Sequence, residues 1–371
     1  VRELLTELRS GAAADRAILL GLCLIWAGYL AVLASKGINA LAPQTYQLNF
    51  NLYLAALLAA LILALAAVLA RHRPVSPIRF LASSFVSSGF AGQLVRGIPM
   101  LLALVIFLPV FGSMKSAIPL FSSYTWDDTW IALDQTLHGT DPWRILQPVF
   151  GHPLVTSILA TFYHLWILLI YAGGVGFCFF VGDRQLRARF FIAYFASWAL
   201  LGNALAIAFA SIGPCFVGPM LGDHRFDEQM AYLRAANEHY PVMTLAVQQQ
   251  LIEWSASGSG GLGRGISAMP SMHVSIAFLF FLALRRISKL AGLLFGVFFV
   301  IIVIGSVHLA YHYAVDSYVS ILGTWLIWIA AGAAARRIAG PASAAELSSA
   351  SPGAELDPSP EAGAALPRSR S

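Results

Sequence analysis

The chain has 371 residues, 58% of them hydrophobic and 11% charged, with a mean hydropathy of +0.73. A soluble domain averages about 45–50% apolar and about 25% charged residues, so this composition excludes an ordinary soluble globular protein and points to a polytopic membrane protein. The net charge of +5 does not indicate a nucleic-acid partner, because the basic residues fall in short clusters between apolar runs, as in cytoplasmic loops of membrane proteins.

From the N-terminus, the leader Val1–Arg16 mixes basic and acidic residues. The apolar run behind it exceeds the roughly 7–15 residues of a signal-peptide core, so a retained first helix is expected. Eight apolar segments follow one another: Ala17–Ser35, Leu52–Ala70, Gly97–Met114, Leu154–Phe180, Phe190–Ile212, Met272–Leu284, Leu290–Gly305 and Leu309–Ala335. Most reach the roughly 20 residues that a helix needs to cross hydrocarbon. The sixth and seventh are short and extend past polar ends at Arg285, Arg286 and Lys289, whose charged heads can snorkel to the interface. The expected fold is therefore all-α, a membrane helical bundle of about eight transmembrane helices. Its expected organisation is an N-terminal segment with two spans (1–96), a membrane core (97–337) and an Ala/Pro/Ser/Glu-rich cytoplasmic tail (338–371) with the composition of a disordered segment.

Assigning loops alternately, with the N-terminus inside, places 17 of the 23 Lys and Arg residues on the inner side. The six on the outer side are Lys36, Lys115, Arg144, Arg225, Arg234 and Arg264. Lys/Arg asymmetry sets topology, so both termini are expected to face the cytoplasm, in a plasma or inner membrane. Two outer loops are long. The first contains Trp126–Leu137, expected as a helix lying at the membrane interface, with Asp127, Asp128 and Asp134 as cap and surface charges. The second contains two short helices, Phe226–Tyr240 and Val242–Trp254, before the Gly/Ser-rich stretch Ser255–Gly265. Cys23, Cys178 and Cys215 form no CxxC pair and are expected to be inert packing residues.

Chemistry concentrates in Arg264–Gly323. Met269-Pro270-Ser271-Met272-His273 opens the sixth span, and His308, His312, Tyr313 and Asp316 open the eighth. One span inward and one outward separate them, so the loop count alone brings His273 and the His312/Asp316 pair to the same outer face. His312 and Asp316 are four residues apart and therefore neighbours on a helix. A carboxylate there fixes the imidazole tautomer and leaves the second nitrogen as nucleophile or base. His273 can supply the opposing acid. Pro270 suits a first helical turn, and the N–H groups of Ser271, Met272 and His273 are then expected to face an anion. His308 is expected as an auxiliary hydrogen-bonding residue. His164 either lines the substrate cavity or is a satisfied buried histidine.

Pro270-Ser271-Met272-His273 followed by His312-x-x-x-Asp316 resembles the second and third motifs of the type-2 phosphatidic acid phosphatase superfamily. Met272 in place of Gly, His312-Tyr313 before Asp316, the tract Asp127–Trp143, Tyr163-His164 and Gly213-Pro214 resemble its inositolphosphotransferase branch, which includes inositol phosphorylceramide synthases. The resemblance implies a six-helix core, a lipid phosphate or phospholipid substrate in the bilayer, and no cofactor or metal. It implies His312 as the nucleophile forming a phosphohistidine, Asp316 as its orienting group, and His273 as the acid that protonates the leaving oxygen and then deprotonates the acceptor, with phosphoinositol as a candidate headgroup. The superfamily's first motif, K-x6-R-P, has no counterpart, and Ser306 stands where the third motif carries Arg. Another outer cation must hold the phosphate, Arg264 first and Lys115 second. Competing readings are a lipid phosphate phosphatase with water as acceptor, a transporter with a His/Asp proton relay, metal ligation by His308, His312 and Asp316, and a non-catalytic scaffold.

Overall fold

The computed structural model describes residues 2–40, 43–81, 90–257 and 265–339. The chain divides into Val1–Gly340 and Pro341–Ser371; of the expected disordered tail, Ile338 and Ala339 belong to the last helix and residues 340–371 lie outside the described residues. Among the described residues every regular element is helical. In chain order these include α1 (Arg2–Ala14), α2 (Arg16–Ser35), α3 (Pro43–His72), α4 (Phe90–Ser116), α5 (Asp127–His138), α6 (Pro142–Phe150) and α7 (Pro153–Phe179). They continue with α8 (Arg184–Ala208), α9 (Pro214–Leu221), α10 (Asp227–His239), α11 (Met243–Ser257), α12 (Met272–Leu284), α13 (Lys289–His308) and α14 (Ala314–Ala339).

Among the described residues, seven helices are long and apolar enough to cross a membrane: α2, α3, α4, α7, α8, α13 and α14. The eighth expected segment is α12, with 13 residues, or about 20 Å of helix against a hydrocarbon core of about 30 Å. Its shortness has a packing reason. The helix is apolar all round, lies against α13, α14, α8 and α7, and buries most of its side chains, which is the position of a central helix. The chain reaching it, from Ile266 to Ser271, is non-helical and largely buried, as irregular backbone at membrane depth must be. Its polar groups are met by protein: Ala268 N–H donates to the Ser211 carbonyl at 2.9 Å and Met269 N–H to the Ser211 hydroxyl at 3.2 Å.

α3 behaves in the opposite way and buries only Asn49 and Tyr53. Those positions tie it to the core: Asn49 donates to the Val105 carbonyl at 2.6 Å and accepts from the Tyr171 hydroxyl at 2.8 Å, the kind of polar contact that joins helices where hydrocarbon gives no hydrophobic drive. Element starts follow local chemistry, with Pro at the first position of α6, α7 and α9 and side-chain caps from Asp183, Ser271 and Ser288.

Three sequence expectations need correction. The eighth span begins at Ala314 rather than Leu309, because Leu309–Tyr313 forms a turn with Ala310 at φ 62°. The fifth carries a π-helical stretch, Ser197–Leu205, that period-based reading does not detect; within it, a Cβ on Gly202 would crowd Phe111 and the Met272 sulfur. Finally, α5 leaves Asp128 on the surface, as expected, but not the other two acids: Asp127 and Asp134 are buried with Trp130 and Ile131.

Candidate active site

The ends of α12 and α14 and the turn before α14 bring His273, His312 and Asp316 together. The imidazole centroids of His273 and His312 are 6.4 Å apart. His312 Nδ1 lies 2.8 Å from the Ala268 carbonyl oxygen and 3.2 Å from Asp316 Oδ2. Both partners accept only, so Nδ1 carries the proton and Nε2 presents its lone pair. The Ala268 carbonyl belongs to the buried segment leading into α12, so the chain bearing one histidine orients the other. Asp316 Oδ2 also accepts from Tyr313 N–H at 3.0 Å, reaching back over the first turn of α14, while Oδ1 is buried without a partner among the described residues.

Two further carboxylates position this turn, and the sequence reading missed both. Asp134 of α5 accepts from Ala314 N–H at 2.8 Å and Val315 N–H at 3.0 Å. It therefore caps α14 from another helix, meeting groups that a helix start leaves unsatisfied. Burial pushes the Asp134 carboxyl above its ordinary range, opposed by those two N–H groups. Asp127 accepts from Ile212 N–H at 3.1 Å, Gly213 N–H at 3.0 Å and the Tyr313 hydroxyl at 2.7 Å. Burial, then the neighbouring Asp127 charge, raises the Tyr313 phenol. Gly213 sits at φ 92°, and a Cβ there would collide with the Tyr311 carbonyl oxygen, so this glycine is required by both conformation and space. The spacing Asp127–Asp134 was the available signal: seven residues are two helical turns, placing both on one face.

Other expected site residues fall as follows. Pro270 precedes the cap of α12 rather than occupying its first turn, and the Met269–Pro270 peptide is cis. Ser271 is fully buried and is the cap itself, its hydroxyl accepting from Val274 N–H at 3.4 Å. That leaves the first-turn N–H groups of Met272 and His273 without an intrahelical acceptor. Lys115, at the end of α4, and His164, on α7, both act electrostatically on His273. His164 Nδ1 bonds the Ala160 carbonyl at 2.8 Å. Arg264 lies outside the described residues. His308 is turned away from the cluster: its Nε2 pairs with the Thr156 hydroxyl at 2.9 Å, which in turn meets Tyr232. That pairing removes His308 from a shared metal site, and among the described residues no group of three or more His, Cys, Asp or Glu could hold a metal ion. A small cavity lined by Asp134, Trp143, Gln229, His312 and Tyr313 borders the cluster; His273 is not in its lining.

Of the other cations expected on the outer side, three are engaged elsewhere and Arg234 is exposed on α10. Arg144 pairs with Glu228 at 2.7 Å, Arg225 with Asp141 at 2.9 Å, and Lys36 lies over the Phe121 ring.

An all-helical, multi-pass integral membrane protein with two imidazoles and a carboxylate gathered where a short central helix begins is the class that fold and site define. A model of the PAP2 superfamily matches residues 129–331, more than half of the chain, and the chain belongs to that superfamily. No match was found among the curated proteins or the solved structures. Members of that superfamily are generally phosphatases or phosphotransferases.

Proposed function

We propose that this protein transfers a phosphoryl or phospho-headgroup from a membrane lipid to a hydroxyl acceptor through a covalent intermediate on His312, using the core 97–337. One observation carries the reading: His312 Nδ1 is committed to the Ala268 carbonyl and Asp316, so Nε2 is the nucleophilic nitrogen, with the His273 ring one phosphate-width away. In the first step the Nε2 lone pair forms a bond to phosphorus, the bond from phosphorus to the leaving oxygen breaks, and that oxygen takes the proton of His273. In the second, the acceptor hydroxyl gives its proton to His273 and attacks phosphorus, and the P–N electron pair returns to His312. Asp316 stabilises the imidazole and its orientation in both. Developing charge is met by the Met272 and His273 N–H groups and by Lys115, which has no ion-pair partner among the described residues and neighbours His273. Lys115 thus takes the place of the cations missing from the first and third motifs.

Transfer is favoured over hydrolysis by the likeness to the inositolphosphotransferase branch and by the aromatic enclosure of the site, since a site that excludes water favours a bound acceptor. The Lys/Arg asymmetry supports a site on the non-cytoplasmic face with cytoplasmic termini. The test uses purified protein in nanodiscs with a phospholipid whose headgroup, phosphoinositol first, carries the label, with and without an acceptor lipid hydroxyl. Label appearing in a new lipid supports transfer. Acceptor-independent release of free headgroup phosphate shows the hydrolase, and no turnover with uptake of substrate into sealed liposomes shows the transporter.

A further inference from the structure

His273 lacks what His312 has. Among the described residues it makes no hydrogen bond and has no carboxylate at ion-pair distance. It sits in the first turn of α12, where the positive end of the helix dipole opposes a cation. The titratable groups acting on it are His312 from the turn before α14, Lys115 from α4 and His164 from α7; behind His312 stands Asp316, already paired. An acid that must hold a proton before the leaving group departs therefore has, among the described residues, no counter-charge beside it. Aromatic rings also stack against it. The Trp166 ring stacks at 3.9 Å and 29°, and the Tyr163 ring at 4.2 Å and 17°. Tyr311 lies parallel to Tyr163 at 5.1 Å and 7°. Trp166 and Tyr163 are buried at 6% and 3% exposure, and their polar atoms have no partner among the described residues, so they meet His273 through their faces alone.

We infer that Trp166 and Tyr163 are positioning residues whose π faces hold His273 as an imidazolium and fix its ring plane toward the leaving oxygen. A cation over an aromatic face is stabilised by the ring quadrupole, most strongly over Trp and more when desolvated, and two stacked faces also leave the imidazole only in-plane directions for its N–H bonds. The sequence marks Tyr163 only through the Tyr163-His164 resemblance and Trp166 not at all, and neither signal places a ring against His273. The inference rests on the functional reading above only where it assigns the proton to the leaving oxygen.

The test combines a titration with a pH profile on the full chain in nanodiscs. The 15N resonances of His273, assigned by their loss in His273→Gln, report its protonation midpoint without turnover. In Trp166→Leu and Tyr163→Leu that midpoint is expected to fall by about one pH unit, and in the Phe variants to recover most of it. Because an acid loses activity as pH rises through its midpoint, the alkaline limb of kcat is expected to move down by the same amount. Should the Leu variants fail to fold, replacing tryptophan with fluorinated tryptophans weakens the ring face without changing its shape, and the midpoint is expected to fall with each added fluorine. An unmoved midpoint in the Leu or fluorinated proteins overturns the inference. A midpoint that moves while the kinetic limb stays fixed supports it and removes His273 from the acid's role instead.

Discussion

Asp134 is 178 residues from His312 in sequence, yet Asp134→Ala is expected to act on the chemistry through the start of α14. Its carboxylate accepts from Ala314 and Val315 N–H at 2.8 and 3.0 Å in a buried setting. Each buried N–H left unpaired costs about 1–3 kcal/mol. With partial rescue by entering water, the two together come to about 3 kcal/mol. That strain falls on the turn holding His312 and Asp316, so it is expressed as lost alignment of Nε2 with phosphorus rather than as lost substrate affinity. At 1.36 kcal/mol per tenfold, about 3 kcal/mol corresponds to a fall in kcat of roughly 100-fold, with KM changed by less than about threefold. Asp134→Asn keeps one acceptor oxygen and is expected to lose about tenfold. The assay is labelled-lipid turnover in nanodiscs, with melting followed in parallel to separate local from global damage. A wild-type kcat in a normally folded Asp134→Ala protein would refute the idea that this cross-helix cap sets the geometry of the site.

Three further outcomes are expected. Asp316→Asn lowers kcat by at least about tenfold with little change in KM, since it disturbs His312's tautomer and leaves binding groups intact; steady-state kinetics checks the split. Lys115→Met raises KM about tenfold or more by removing a charge-assisted contact to phosphate, and Lys115→Arg recovers part of it, read from substrate titrations at two salt concentrations. Gly213→Ala costs about 3 kcal/mol or more, because a Cβ is placed at a positive φ against the Tyr311 carbonyl; the measurement is the yield of monodisperse protein and its Tm.

Much of the bundle is legible in the sequence, because crossing hydrocarbon demands length and apolarity, and both are written residue by residue. The meeting of His273 with His312 follows from counting loops, one inward and one outward span apart. The rest depends on contacts that composition hides. Asp127 and Asp134 share a stretch with tryptophans and look like the polar face of an interfacial helix; only packing shows that face turned inward onto the 212–213 and 314–315 backbone and the Tyr313 hydroxyl. The Ala268 carbonyl that orients His312 carries no side-chain signature at all. Pro270 looks like a helix opener, but the hydroxyl of Ser271 is the better cap, and the helix starts after it. His308, one helical turn from His312 in sequence, belongs to a different pocket because the chain leaves the helix at Leu309.

The most direct measurement is rapid acid-free quench of the purified protein with a labelled-headgroup lipid, followed by mass spectrometry of the peptide spanning residue 312. A phosphoryl- or phospho-headgroup adduct on the His312 imidazole, absent in His312→Gln and accumulating when acceptor is withheld, is the predicted result. Turnover at full rate in the His312→Gln protein, or an adduct on a different residue, would contradict it.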